Sequence, residues 1–436
     1  MSKIFFVENR FRTEAWKFLA RALRHEGHEI FWLVENRAFA PAPEYGKVFV
    51  IPYPSGKELK QAPEYRSQYL PSSDRAVNYF GHKDTRHYGY YYEKFFAILK
   101  EVMPDLVIGE STAFYELLIV DACRNLGIRF LHPSSCRYPT GRFSFYLNDT
   151  LEPYLGSGEE LSDEAADAII ASISQRKIVP DYMKKKKVSL QAALRRIGDL
   201  LFLTRNYYGG EHYHTPSPFR KIGLDRELKR YVRRWNAVAE RKYPRIDGKE
   251  FKVLYPLQMQ PEANLDIWGN PYRDQARTVR LILEQLPADA RLVVKPNPKA
   301  KYEMTGDLLS LVEDDPRVIP VPLPVSMGEV LPHIGMVVAV TGTIAIECIL
   351  SGKPVITLIR TLNNTVASCP YVADPKEMGA YMVRAAAGEF PAASQREKRD
   401  FLRLLNRTSY AGLPYENHMV RQEEFEKVLT AVKTLL

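Results

Sequence analysis

Between Met336 and Ile356 the chain runs from an apolar strand-like segment through a small-residue turn and a short helical segment. It then passes Gly352-Lys353-Pro354 into a second apolar segment. Strand, helix and strand in so short a span point to a crossover unit in a doubly wound sheet. The turn Thr341-Gly342-Thr343 offers two hydroxyls and several backbone N–H groups at a helix N-terminus. The first N–H groups of a helix lack partners and the dipole is positive there, so the turn suits a phosphate or carboxylate. Glu347, four residues after Thr343, lies on the same helix face. A carboxylate one turn beyond a phosphate cradle suits ribose hydroxyls. The plainer alternative is a capping Thr and a surface Glu.

The same alternation extends in both directions. Near the N-terminus, Lys3 to Val7 reads as a strand and Arg12 to Glu26 as an amphipathic helix, with Trp16, Leu19, Ala20 and Leu23 at helical spacing. Gly27 ends that helix, and Glu29 to Val34 is the next strand. A strand over Asp105 to Gly109, a helix over Thr112 to Leu126 and a strand over Arg129 to Leu131 follow. Residues 56–95 read as a polar, Tyr-rich insertion with a helix near Tyr90 to Leu99. From Phe251 the alternation restarts and continues to Leu358. The expected architecture is α/β: two Rossmann-like doubly wound domains flanking a helical insertion. The expected boundaries are 1–156, a helical insertion or linker over 157–248, a second domain over 249–390, and C-terminal helices over 391–436 packing back on the first domain.

Composition narrows the partners. A formal net charge of +9 favours anionic ones such as nucleotides, acidic sugars, lipid headgroups or nucleic acid. The aromatics fall in no nucleic-acid-binding module, so nucleic acid is not expected. Cys123, Cys136, Cys348 and Cys369 are scattered without C-x-x-C spacing, which argues against a disulfide framework and a structural zinc site and makes a reducing cytoplasm the expected location. Glu211, His212 and His214 do not share one helix face, so no metal is expected. No apolar run reaches the length of a membrane span, and the opening residues read as a first strand rather than a signal peptide. The run Lys184 to Lys187, with Leu194 to Leu203, suits peripheral contact with an anionic membrane, at the inner face of a bacterial inner membrane. The plain reading of that run is a solvated stretch.

Three loops of the second domain each follow a strand, where ligands bind in open α/β sheets. The first, Leu257 to Asn264, carries Gln258, Gln260 and Glu262 around Pro261. The second, Val294 to Lys299, sets Asn297 between Lys295 and Lys299, stiffened by Pro296 and Pro298. The third is the Thr341 turn with Gly342, Thr343 and Glu347. In the first domain, Glu110 follows a strand and opens a helix, in place to bind an acceptor or to act as acid or base; an exposed Glu near a helix N-terminus is the plain alternative. Arg137 and Arg142 follow another strand; plain surface arginines are the simpler reading, and either could meet a sugar carboxylate bidentately.

Several of these segments together resemble a known family. They are Tyr255-Pro256-Leu257-Gln258-Met259-Gln260-Pro261-Glu262, Gly269-Asn270-Pro271-Tyr272-Arg273-Asp274-Gln275, Val294-Lys295-Pro296-Asn297-Pro298, and Thr341-Gly342-Thr343 to Glu347 with Gly352-Lys353-Pro354. The series resembles the capsule polysaccharide biosynthesis family, which includes retaining β-Kdo transferases of capsule and lipopolysaccharide assembly. The resemblance covers mainly residues 251–360. It implies a GT-B-like fold, two Rossmann-like domains with an interdomain cleft, and a glycosyltransferase that takes a 2-keto sugar acid from a CMP-activated donor to a glycan or lipid-linked acceptor, with no cofactor or metal. It also implies that Glu262 stands where the family places an acidic catalytic residue, as nucleophile or base. Gln258 and Gln260 would orient it or the sugar, and Lys295, Asn297, Pro298, Thr341, Gly342, Thr343 and Glu347 would hold the donor. Family members usually carry His-Pro where this chain has Asn297-Pro298; Asn donates a hydrogen bond but can be neither cation nor acid. Two other functions are compatible with the pattern: a nucleotide-sugar 2-epimerase on the same two-domain fold, and a non-catalytic saccharide-binding assembly protein.

Overall fold

The computed structural model describes residues 1–10, 12–67, 69–174, 198, 201–209, 212–213 and 215–436. Lys184 to Lys187, Glu211, His214 and most of Leu194 to Leu203 lie outside the described residues. The chain divides into two compact units. The first is Met1–Glu160, a segment ending at Pro218, and Leu404–Leu436; the second is a segment beginning at Leu161, with Phe219–Arg403.

The first unit is built on a seven-stranded sheet. Its strands are β1 (Lys3–Val7), β2 (Glu29–Val34), β3 (Lys47–Val50), β4 (Leu106–Ile108), β5 (Phe130–Ser135), β6 (Arg142–Leu147) and β12 (Tyr410–Ala411). Strands β1 to β5 are mutually parallel in the order β5-β4-β1-β2-β3, while β6 and β12 add antiparallel strands at one side. β4 is fully apolar and buried, as is β1 from Ile4 to Val7, as strands covered on both faces must be. Between β1 and β2 the helix Thr13–His25 buries Trp16, Leu19, Ala20 and Leu23. The helix Phe114–Leu126 ends at Gly127, which adopts the left-handed conformation (φ 69°) that stops a helix.

The antiparallel pair β6 and β12 departs from the expected all-parallel sheet. Arg142 helps to hold it. Its guanidinium donates to the Ser409 hydroxyl and carbonyl, the Ser157 hydroxyl and the Asn406 carbonyl, and pairs with Glu159 at 2.6 Å. Arg142 therefore staples the C-terminal segment to the sheet, and its donors are taken up by protein.

The second unit carries a five-stranded parallel sheet in the order β11-β10-β7-β8-β9. The strands are β7 (Lys252–Pro256), β8 (Arg291–Lys295), β9 (Val318–Pro320), β10 (Met336–Ala339) and β11 (Val355–Thr357). Its core includes Val253, Tyr255, Leu292, Val294, Val338 and Val340 with Trp235, whose indole donates to the Val321 carbonyl. The helix Pro218–Lys242, which supplies Trp235, belongs to this unit, as does the helix Asp163–Ser174. The latter packs against the helix Ile344–Ser351, and Asp163 and Asp167 pair with Arg399. Much of the described part of 157–248 is thus integral to the second α/β unit. Both sheets share one topology: the first strand is central, the next two lie on one side, and the chain then returns to the other.

Candidate functional site in the second unit

In a doubly wound sheet the crevice at the strand C-termini, where the order reverses, is the natural ligand site. Here the reversal falls between β7 and β10. The loop leaving β7 carries Gln258, Gln260 and Glu262, and the turn leaving β10 carries Thr341. The Thr341 hydroxyl lies 2.8 Å from the Asn264 carbonyl and 3.1 Å from the Gln258 side-chain oxygen. It spans the reversal point and ties the two loops together. β8 is the other neighbour of β7, and the Leu257 N–H donates to the Lys295 carbonyl. The structure therefore brings together three of the loops expected from sequence.

The β7 loop is held from several directions. Gln275, at the start of the helix Gln275–Gln285, accepts from the Gln258 N–H and donates to the Gln258 carbonyl, both at 2.8 Å. It also donates to the Gln260 side-chain oxygen at 3.1 Å. Gln260 is buried and donates to Asp266 and the Arg273 carbonyl. With both ends of its amide used inside the protein, Gln260 positions the loop. Gly269 is required beneath it: a Cβ there would meet Val340 at 2.8 Å and the Asn264 carbonyl at 2.9 Å. Glu262 follows the cis Gln260–Pro261 bond, is half-buried and stands at the N-terminus of the short helix Ala263–Asp266.

Sequence reasoning missed Glu303. Its side chain is 1% exposed. It accepts from the Gln260 N–H at 3.2 Å and the Lys301 N–H at 2.9 Å, while the Tyr302 N–H donates to the Gln260 carbonyl. Its Oε1 has no hydrogen-bond partner among the described residues. Burial pushes the Glu303 carboxyl up to about 7, against the backbone donors that favour its charged form, and nearby Glu262 adds to the rise. Nothing local marks Glu303 in the sequence; it is buried by where the chain runs after β8.

Lys295 is 4% exposed, and its ammonium donates to the Pro296 carbonyl at 3.0 Å. Burial pulls it down to about 8, with Glu329 opposing. A desolvated cation at a strand C-terminus suits an incoming anion. Asn297 uses its side-chain oxygen to accept the Lys299 N–H at 2.9 Å, closing a turn that leaves Pro298 exposed. Gly342, Thr343 and Glu347 are half-buried, and the Thr343 hydroxyl accepts no capping bond from the helix it begins.

In the first unit, the corresponding reversal lies between β1 and β4. Glu110 pairs with Arg12 at 2.5 Å, and burial raises its carboxyl against that pairing. Arg12 also stacks on Tyr415 and donates to the Pro414 carbonyl. Glu116 was not singled out from sequence. It accepts from Asn9, from the Thr112 and Ala113 N–H groups and from the Thr112 hydroxyl, and burial lifts it to about 7. Arg137 is half-buried in the loop after β5. Among the described residues no cluster of three or more His, Cys, Asp or Glu side chains could hold a metal ion, and no helix is long and apolar enough to cross a membrane.

No protein-family model matches the chain, and no curated protein matches it in sequence. Among solved structures, the calicheamicin glycosyltransferase CalG4 aligns at 13% identity and a TM-score of 0.29, over 100% of this chain and 98% of that one. A UDP-GlcNAc 2-epimerase from Methanocaldococcus jannaschii in complex with UDP-GlcNAc and UDP aligns at 13% identity and 0.29, over 93% and 99%. MurG from Acinetobacter baumannii aligns at 10% identity and 0.25, over 99% of each chain. At these TM-scores neither fold nor activity follows from the likeness.

Proposed function

We propose that the chain is a glycosyltransferase of surface polysaccharide assembly that binds a nucleotide-sugar donor at the C-terminal edge of the second sheet. The observation that carries this is the hydrogen-bonded meeting of the β7 loop with the Thr341 turn at the strand-order reversal, beside the buried Lys295. In this reading the donor phosphate sits on Thr341, Gly342 and Thr343, Lys295 supplies positive charge, and Glu347 faces the ribose. A CMP-linked 2-keto sugar acid such as Kdo, and a retaining outcome, are proposed on the sequence resemblance. Glycan or lipid-linked saccharide is the proposed acceptor.

Glu262 is the proposed catalytic carboxylate, acting as nucleophile or base. Gln275, Gln260 and Glu303 hold its loop, so its geometry is set before substrate arrives. Glu262→Gln keeps size and removes charge. It is expected to lower turnover at least about 100-fold, the lower range for acid–base catalysis, with donor affinity near normal. Retained turnover would move the role elsewhere, with Glu110 the next residue to test. Product from nucleotide sugar without acceptor would identify an epimerase instead.

A further inference from the structure

The helix Pro218–Lys242 buries one face and leaves the opposite one bare. Leu224, Trp235, Val238 and Ala239 are buried in the second unit. On the other side, Phe219, Ile222, Arg226, Lys229, Arg230 and Arg233 recur at three- and four-residue spacing along one stripe. The four basic residues line a single surface depression. Arg230 lies over the Tyr231 ring. Among the described residues no carboxylate pairs with Arg226, Lys229 or Arg233. The helix's own Asp225 and Glu227 are taken by Lys221 and Arg220. At the N-terminal end of this stripe, Phe219 is 79% exposed and Ile222 39%.

We propose that this stripe docks the second unit onto an anionic phospholipid surface, with the basic residues on the headgroups and Phe219 and Ile222 entering the acyl boundary. Charge alone would fit any polyanion. A large aromatic and a β-branched residue held in water beside four cations on one helix face favour a surface with an apolar layer beneath the charge. The helix would lie on the membrane plane, since its opposite face is committed to the protein core.

The test is co-sedimentation of the full chain with vesicles of phosphatidylglycerol and phosphatidylcholine, against pure phosphatidylcholine, at low and high salt. Binding is expected on the anionic vesicles alone and is expected to weaken as salt shortens the Debye length. R226E/R230E, with R226Q/R233Q as a milder pair, should lower partitioning more than about 25-fold and about tenfold or more respectively, from the contribution of each basic residue near such a surface. Phe219→Ser should lower it about tenfold through lost apolar burial. All three replace exposed side chains, and an unchanged melting temperature checks that they remain folded. Failure to bind anionic vesicles overturns the proposal, as does binding that both charge variants leave intact. A Phe219→Ser variant that partitions like wild type while the chain still binds soluble polyphosphate would overturn it in favour of a general polyanion surface.

Discussion

Glu303 and Lys295 bracket the β7 loop and carry opposite consequences of burial. With its carboxyl lifted to about 7, Glu303 holds a proton in the folded chain over a range where the unfolded chain has released it. Stability therefore falls as pH rises from about 4.5 to 7, by about 3 kcal/mol from this group. Glu303→Gln keeps an acceptor for the Gln260 and Lys301 N–H groups and removes the titration. Denaturant unfolding at pH 5 and pH 8 should show a shallower decline in this variant, with Glu116, lifted to a similar value, supplying what remains. Lys295, pulled down to about 8, loses its charge as pH rises through that value, so affinity for a nucleotide phosphate should fall there. Calorimetric titration across pH 7 to 9 checks this, and Lys295→Met should abolish the dependence. The residue types of this loop were legible in the sequence because polar and proline residues follow an apolar strand. The roles of Gln275 and Glu303 were not: their contacts come from chain segments folded back from a distance.

The elements divide by how their burial is patterned. β1, β2 and β8 were legible because an unbroken apolar run with a stop signal has few other readings. β3 was not read, since its residues are exposed or half-buried and carry little pattern. β6 and β12 were missed because they are antiparallel additions, one of them two residues long and held by Arg142. The tie between the β7 and β10 loops is testable at this scale. Thr341→Val removes the hydroxyl that reaches Gln258 and Asn264, and should cost ~1–2 kcal/mol in stability. Gly269→Ala forces a Cβ against Val340 and the Asn264 carbonyl, and should cost ~1–3 kcal/mol with weaker nucleotide binding. Urea unfolding of both variants measures these losses; wild-type stability in both would contradict the packing described.

Across the whole molecule, one strand order is used twice, and in each unit polar side chains tie the two loops at the reversal point. The α/β class and the restart of alternation at Phe251 were legible because both sheets are built from short apolar strands between helices. The central claim concerns the second of these edges. The most direct test is isothermal titration of CMP, UDP and their sugar conjugates into the wild-type chain, Thr343→Val and Glu347→Ala. One nucleotide should bind the wild type, and each substitution should weaken it by ~1.5–3 kcal/mol, the range for a charge-assisted contact. Equal affinity in all three chains would contradict the placement of the donor on the Thr341 turn.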